Sequence, residues 1–172
     1  PRKILLNSWE GVYFDINQQG MDQMMADIAS MGGELFVMDD GWFGDKYPRK
    51  NDSSSLGDWV VDKNKLPNGI EGLLSDAKKH GVKFGIWIEP EMANTTSELY
   101  EKHPDWVLKA SERDVVLGRG GTQVVLDLAN PAVQDFVFGV VDNLMTSYPE
   151  IDYIKWDANV CPEPRFAISD EG

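Results

Sequence analysis

The run Tyr153-Ile154-Lys155-Trp156-Asp157 sets a lysine and an aspartate two residues apart at the end of an apolar stretch. In an extended chain this spacing puts Tyr153, Lys155 and Asp157 on one face, with Ile154 and Trp156 on the other. A lysine and a carboxylate on an inward face are costly to bury unless they pair or serve a site. The ammonium would lower the carboxyl pKa and keep it ionised. An ionised carboxylate at a strand end can attack an electrophilic carbon. A plain buried ion pair accounts for the same two residues, and the local sequence leaves both readings open.

Two further groups have the same character. Gly85, Trp87, Glu89 and Glu91 share one parity of another apolar run. Glycine allows close approach there, and an indole offers a flat apolar face of the kind that covers the C–H face of a sugar. Core packing is the alternative for Trp87, and anchoring of loops is the alternative for Glu89 and Glu91. Asp39-Asp40 closes a third run. Its carboxylates could accept hydrogen bonds from substrate hydroxyls or hold a divalent cation, and Asp40-Gly41 is also a common turn pair. His80 and His103 fall near expected helix ends, where surface or capping roles are ordinary. One cysteine, Cys161, and these histidines give no zinc-ligand spacing. No metal or other cofactor is expected.

The elements that must position these residues follow from periodicity. Lys3 to Trp9, Glu34 to Met38, Val82 to Ile88 and Ile151 to Trp156 read as buried strands. Trp106 to Leu108 and Gln123 to Asp127 read as short ones. Met21, Met24, Met25 and Ile28 mark one face of a helix that starts near Asp15 to Asn17 and stops at Gly32-Gly33. Ile70, Leu73, Leu74 and Ala77 mark another, closed by Gly81. Thr95-Thr96-Ser97-Glu98 carries a capping-box pattern for a short helix reaching about His103. Asn130-Pro131 opens a longer helix whose buried face runs through Val133, Phe136, Val137, Val140, Val141 and Leu144. Between the second strand and second helix, Phe43 to Asn68 is a long polar stretch, and loops of that length are usually functional or disordered.

Apolar strands alternating with amphipathic helices define an α/β fold with a parallel sheet. Acids and tryptophans end every main strand: Trp9-Glu10, Asp39-Asp40-Gly41-Trp42, Trp87 to Glu91, Lys155-Trp156-Asp157. A (β/α)8 TIM barrel gathers all such ends at one mouth, whereas a doubly wound sheet uses mainly those beside its switch point. The expectation is therefore a partial TIM barrel of roughly the first four βα units, with residues 1–172 as one partial catalytic domain and 160–172 as an irregular tail. Gly118-Arg119-Gly120-Gly121 precedes a strand and is no phosphate fingerprint.

The 172 residues suffice for one core, and a formal net charge of -13 argues against nucleic acid or an anionic membrane surface as partner. No apolar run approaches the ~18 residues of a membrane span. A mouth rich in acids and aromatics, without histidine, thiol or phosphate loop, suits glycoside hydrolysis, which commonly uses two carboxyl groups. The residues alone carry the reading to a carbohydrate-active barrel.

Seven blocks carry it further: Asn7-Ser8-Trp9-Glu10, Phe36 to Phe43, Leu56-Gly57-Asp58-Trp59, Phe84 to Met92, His103-Pro104-Asp105-Trp106, Val125-Leu126-Asp127-Leu128 and Tyr153 to Asn159. In this order they resemble the successive blocks of glycoside hydrolase family 36 α-galactosidases, over residues 3 to 159. The resemblance implies a retaining glycoside hydrolase that removes terminal α-D-galactosyl residues from oligosaccharides. It implies Asp157 as nucleophile, Lys155 and Asn159 as contacts to galactose hydroxyls, and Asp39 and Asp40 as the grip on the far side of the sugar. Trp87 matches an active-site tryptophan, and Trp9 lies in the first-strand block near the same mouth. The family's arginine in Arg-x-Gln spacing is replaced here by Gly121 before Gln123, and Arg119 is the nearest substitute.

The family's general acid/base lies on a later strand, and no matching block follows Asp157. Cys161 does not stand in for the family's cysteine loop, and Asp170 is not assigned the acid role. The expected function is thus that of a segment lacking its acid/base. The alternatives are a non-catalytic galactose-binding fragment, an α-galactosyl transferase and an α-N-acetylgalactosaminidase. The substrate would be an α-galactoside oligosaccharide. Homo-oligomerisation of a parent chain and its compartment, cytoplasm or cell envelope, stay open.

Overall fold

The structure, a computed structural model, describes residues 2–109 and 114–159. The tail from 160 onward, with Cys161 and Asp170, lies outside the described residues. Four strands form a parallel sheet in the order β1 (Leu5–Asn7), β2 (Leu35–Met38), β3 (Lys83–Ile88) and β6 (Ile151–Trp156). Helices α2 (Gln18–Ser30), α3 (Gly69–His80) and α5 (Pro131–Ser147) make the three crossovers between them. This is a partial barrel of four strands with three crossover helices. β1 and β6 each have one neighbour in that sheet.

The first strand is shorter than the run Lys3 to Trp9 suggests. Asn7 Oδ1 accepts the Trp9 backbone N–H at 2.8 Å, and Trp9 opens a short helix, α1 (Trp9–Val12). An asparagine side chain thus competes with the sheet ladder and turns the chain out of it. Helix α2 begins where Asn17 accepts the Gly20 N–H at 2.8 Å. It buries Met21, Met25 and Ile28, with Met24 packed at the margin. Each fully buried side chain of this size contributes about 1.5–3 kcal/mol through removal from water. Gly81, in the left-handed region at φ 72°, closes α3.

The crossover from β3 to α5 departs from the expected pattern. Met92–Asn94 forms β4, which pairs antiparallel with β5 (Gln123–Val125) as a separate two-stranded sheet. With three residues and no apolar alternation, Met-Ala-Asn gives no periodic signal. Pro104–Trp106 is a 3-10 turn, and only Val107 pairs, with Leu126, as an isolated bridge. The capping residue of α4 (Glu98–Lys102) is Ser97, which accepts the Tyr100 N–H, and not Thr95 of the capping-box pattern. Asp58, from the Leu-Gly-Asp-Trp block, is why. Its two oxygens accept the Glu98 and Leu99 N–H groups at 2.9 Å each. With both first-turn donors taken by Asp58, Glu98 is not needed as a reciprocal cap. Asp58→Ala is expected to destabilise the fold by about 1–2 kcal/mol, as loss of a helix cap does; the midpoint of thermal unfolding measures it, and an unchanged midpoint would refute the role.

The long segment 43–68 is packed into the molecule. Phe43, Arg49, Ser55, Leu56, Asp58, Asp62 and Leu66 are buried in it. Lys65 Nζ donates to the carbonyl oxygens of Phe14, Gly41 and Arg49 at 2.7–2.8 Å, tying three loops together. Burial pushes its pKa below the ordinary lysine value.

Candidate active site

The register of the sheet decides what meets at its C-terminal end. Val37, Gly85 and Tyr153 lie in one row, and Trp87 pairs with Lys155. A Cβ on Gly85 would stand 3.0 Å from both the Tyr153 carbonyl oxygen and a Val37 methyl, so a side chain here would press the neighbouring strands apart by a few tenths of an ångström. Two residues further along, the same face presents Asp39 from β2, Trp87 from β3 and Lys155 from β6, because successive inward residues are two apart. Asp157 and Glu89 follow one step higher. A cavity of about 170 Å³ opens here, lined by Trp9, Asp39, Asp40, Asp52, Trp87, Glu89, Arg119, Lys155, Asp157 and Asn159. The eight residues implicated by the family resemblance therefore face one space, together with Glu89, whereas Glu91 lies outside it and accepts from Trp156 Nε1 at 2.9 Å. The volume falls below the ~300–1,000 Å³ of a complete small-molecule pocket, in keeping with a mouth walled by four strands.

The ion pairing differs from the expected one. Lys155 Nζ pairs with Asp39 Oδ2 at 2.7 Å, not with Asp157. Two residues on one face of a strand are about 6.6 Å apart along the chain, whereas side chains converging from β2 and β6 meet inside the curve of the sheet. Asn7 Nδ2 donates to the same Asp39 oxygen at 2.6 Å, and Ser8 Oγ accepts the Asp39 N–H. Asp157 is held by neutral donors. Its Oδ2 accepts from Trp87 Nε1 at 3.1 Å and Asn159 Nδ2 at 2.8 Å, and its Oδ1 accepts the Ala158 N–H at 3.2 Å.

Trp87 also differs from expectation. It is 2% exposed, with Phe43 parallel to it at 6.1 Å and Trp59 at 6.1 Å on tilted planes. It therefore gives the cavity its N–H edge rather than a broad face. The half-buried indole of Trp9, edge-on to Tyr13 and Phe14, is the more accessible aromatic surface at the mouth.

Asp40 is gripped by an arginine that the sequence reading did not single out. Arg49 Nε and Nη2 donate to the two Asp40 oxygens at 2.9 and 2.6 Å, and both side chains are almost fully buried. Arg49 Nη1 donates to the Ser54 carbonyl and to Asn94 Oδ1, and Nη2 lies 3.4 Å from Asp52. Burial pushes the Asp40 carboxyl up, and the Arg49 guanidinium opposes it. An arginine in a polar loop carries no periodic signal, so only its contacts identify it. Asp52 was likewise missed; it pairs with Arg119, whose Nη1 lies 3.3 Å away. Asp39 is thus paired with Lys155 and Asp40 with Arg49, each carboxylate facing a cation of the protein itself. Among the described residues no group of three or more His, Cys, Asp or Glu side chains is placed to hold a metal ion.

Glu89 is 2% exposed. Burial raises its pKa, the Asn159 N–H opposes this, Asp157 adds to the rise, and Arg119 lowers it. Elsewhere, His80 contacts Asp22 across the α2–α3 interface and His103 stacks on Trp106, so neither enters the site. Among the described residues no helix is long and apolar enough to cross a membrane.

Parallel strands whose ends bring carboxylates, a lysine and two indoles to one mouth define part of a (β/α) barrel with its cavity at the C-terminal face. The Melibiase family model matches residues 1–163. The chain belongs to the melibiase family. It is 47% identical over 165 residues to a probable α-galactosidase C of Aspergillus flavus, covering 92% of this chain and 22% of that protein. It is 46% identical over 158 residues to α-galactosidase AgaA of Geobacillus stearothermophilus, covering 92% and 21%. A crystal structure of a variant of that enzyme in complex with raffinose superposes with a TM-score of 0.83 at 45% identity, covering 91% of this chain and 21% of that one. The chain thus spans about a fifth of the length of these relatives, and the fold is part of the barrel of family 36 enzymes.

Proposed function

We propose that this segment supplies the nucleophile side of a retaining α-galactosidase site acting on α-galactoside oligosaccharides. The observation that carries the reading is the setting of Asp157. It lines the cavity, two neutral N–H donors fix its Oδ2, and no cation lies within salt-bridge distance among the described residues. A carboxylate neutralised by a lysine would be a poorer nucleophile; here the lysine is engaged by Asp39.

Asp157 Oδ1, with one long hydrogen bond, attacks C1 of the galactosyl group as the C1–O glycosidic bond breaks. The bond's electron pair leaves with the aglycone oxygen, which takes a proton from a carboxylic acid outside the described residues. Water then attacks C1 of the glycosyl-enzyme, gives a proton to that same carboxylate, and frees Asp157. Asp39, Asp40, Lys155, Asn159 and Arg119 hold the sugar hydroxyls, and the face of Trp9 covers its C–H surface. Charge on Lys155 beside Asp39 fixes the direction in which that carboxylate accepts.

The relatives named α-galactosidase and the neighbour holding raffinose support the substrate class. The test uses a 2-deoxy-2-fluoro-α-galactosyl fluoride, whose fluoride leaves without protonation and so probes the nucleophile alone. A mass gain of one fluorogalactosyl group, mapped to Asp157, is the expected result. Absence of labelling in a folded sample that still binds galactose would overturn the reading in favour of a non-catalytic galactose-binding segment. Transfer of the labelled group to an added sugar in preference to water would favour a transferase.

A further inference from the structure

We propose that Glu89 is a positioning residue for the nucleophile: its Oε1 fixes the backbone of Asn159 and, through the Asn159 side chain, the carboxylate of Asp157. The inference rests on the assignment of Asp157 as nucleophile. The sheet ladder reaches only as far as the Asp157 N–H, which donates to the Ile88 carbonyl at 2.8 Å. Beyond that point nothing in the ladder holds the chain, yet the catalytic geometry depends on the next two residues. Glu89 Oε1 accepts the Asn159 N–H at 2.8 Å and takes the place of the missing ladder bond. Asn159 then turns its Nδ2 back to Asp157 Oδ2 at 2.8 Å, where Trp87 Nε1 also donates.

Trp87 and Glu89 are two apart on the inward face of the β3 end, so one rigid strand carries both posts that aim Asp157. Among the described residues Glu89 forms no salt bridge, although it is buried. A buried glutamate without a cation is costly, and its hydrogen bond to Asn159 is the interaction that uses the side chain. The reach of the side chain matters more than its charge, since the group that it holds is a neutral N–H.

The test separates reach from charge in the full-length chain that carries this segment. Glu89→Gln keeps the acceptor at the same distance and removes the charge. Glu89→Asp keeps the charge and withdraws the acceptor by one methylene. For an aryl α-galactoside, Glu89→Gln is expected to stay close to the unsubstituted kcat. Glu89→Asp is expected to lose about 10²-fold in kcat with little change in KM, the effect of misplacing a reacting group by about an ångström. Labelling of Asp157 by the fluorogalactosyl fluoride should slow in parallel, with near-ultraviolet circular dichroism unchanged. The opposite order, with Glu89→Asp active and Glu89→Gln impaired, would show that charge acts and would overturn the proposal. Equal losses, or none, would overturn it as well. If the unsubstituted protein is not labelled at Asp157, the nucleophile assignment itself fails and this inference falls with it. If labelling occurs and Glu89→Asp labels as fast, only the inference fails.

Discussion

In the full-length chain that carries this segment, Asp157→Asn is expected to lower kcat on an aryl α-galactoside by on the order of 10⁴- to 10⁶-fold, the range found when a member of a nucleophilic triad is deleted. The reason is local. Asparagine has the shape of aspartate and can still present an oxygen to Trp87 Nε1 and Asn159 Nδ2. It cannot form the glycosyl ester, because its amide nitrogen lone pair is delocalised and its oxygen carries no charge. Substrate affinity should survive, since the groups assigned to the sugar hydroxyls, Asp39, Asp40 and Lys155, are untouched. The expected pattern is a fall in kcat with KM near the original value. A loss smaller than about tenfold would remove Asp157 from the nucleophile role and return it to the alternative of a structural acid.

Arg49→Met should have the largest effect on stability. Arg49 and Asp40 are buried together, with side chains 1% and 6% exposed, and the pair is bidentate. Removing one member of such a pair leaves an uncompensated charge in the interior and costs about 3–5 kcal/mol. Three further contacts, to Ser54, Asn94 and Asp52, would be lost with it. The sign of the pH dependence follows from Asp40. Burial already pushes its carboxyl up, and without the guanidinium it would rise further. A carboxyl whose folded pKa is raised adds stability below the unfolded value and loses it as pH climbs through the folded one. The deficit of Arg49→Met should therefore be greatest near neutrality and shrink under acid conditions. A second substitution, Asp40→Asn, should restore part of the loss by removing the stranded charge. Thermal midpoints of the single and double variants across pH decide it. A double variant less stable than Arg49→Met alone would rule out the stranded charge as the cause.

In the proposed site, the Asp40–Arg49 pair would bear on substrate as well as on stability. The guanidinium occupies one lone pair on each carboxylate oxygen, so any sugar hydroxyl must approach along the remaining ones. The long segment 43–68 thus acts on the site from behind, by setting the plane of Asp40, and only Asp52 of that segment reaches the cavity itself.

The amino-acid sequence determined the order of the four main strands and their crossover helices, the barrel class and most of the side chains at the mouth, Asp52 excepted. It could do so because those depend on short-range regularities. Short apolar runs end in acids at Asp39 and Asp157, a 3.6-residue stripe runs through Met21, Met25 and Ile28, and Asn130-Pro131 and Gly81 punctuate helices. What touches what was decided only in three dimensions. Lys155 stands two residues from Asp157 in the chain, but the curve of the sheet brings it to Asp39, 116 residues away. Trp87 reads from the sequence as either a sugar platform or a core residue; Phe43 and Trp59 pack around it and leave its N–H edge to donate to Asp157. Arg49 has no periodic neighbours, and β4 is too short to alternate. Both are specified by partners 45 and about 30 residues distant. Contacts of that separation arise from the closing of loops around a common core, and no local pattern in the chain encodes them.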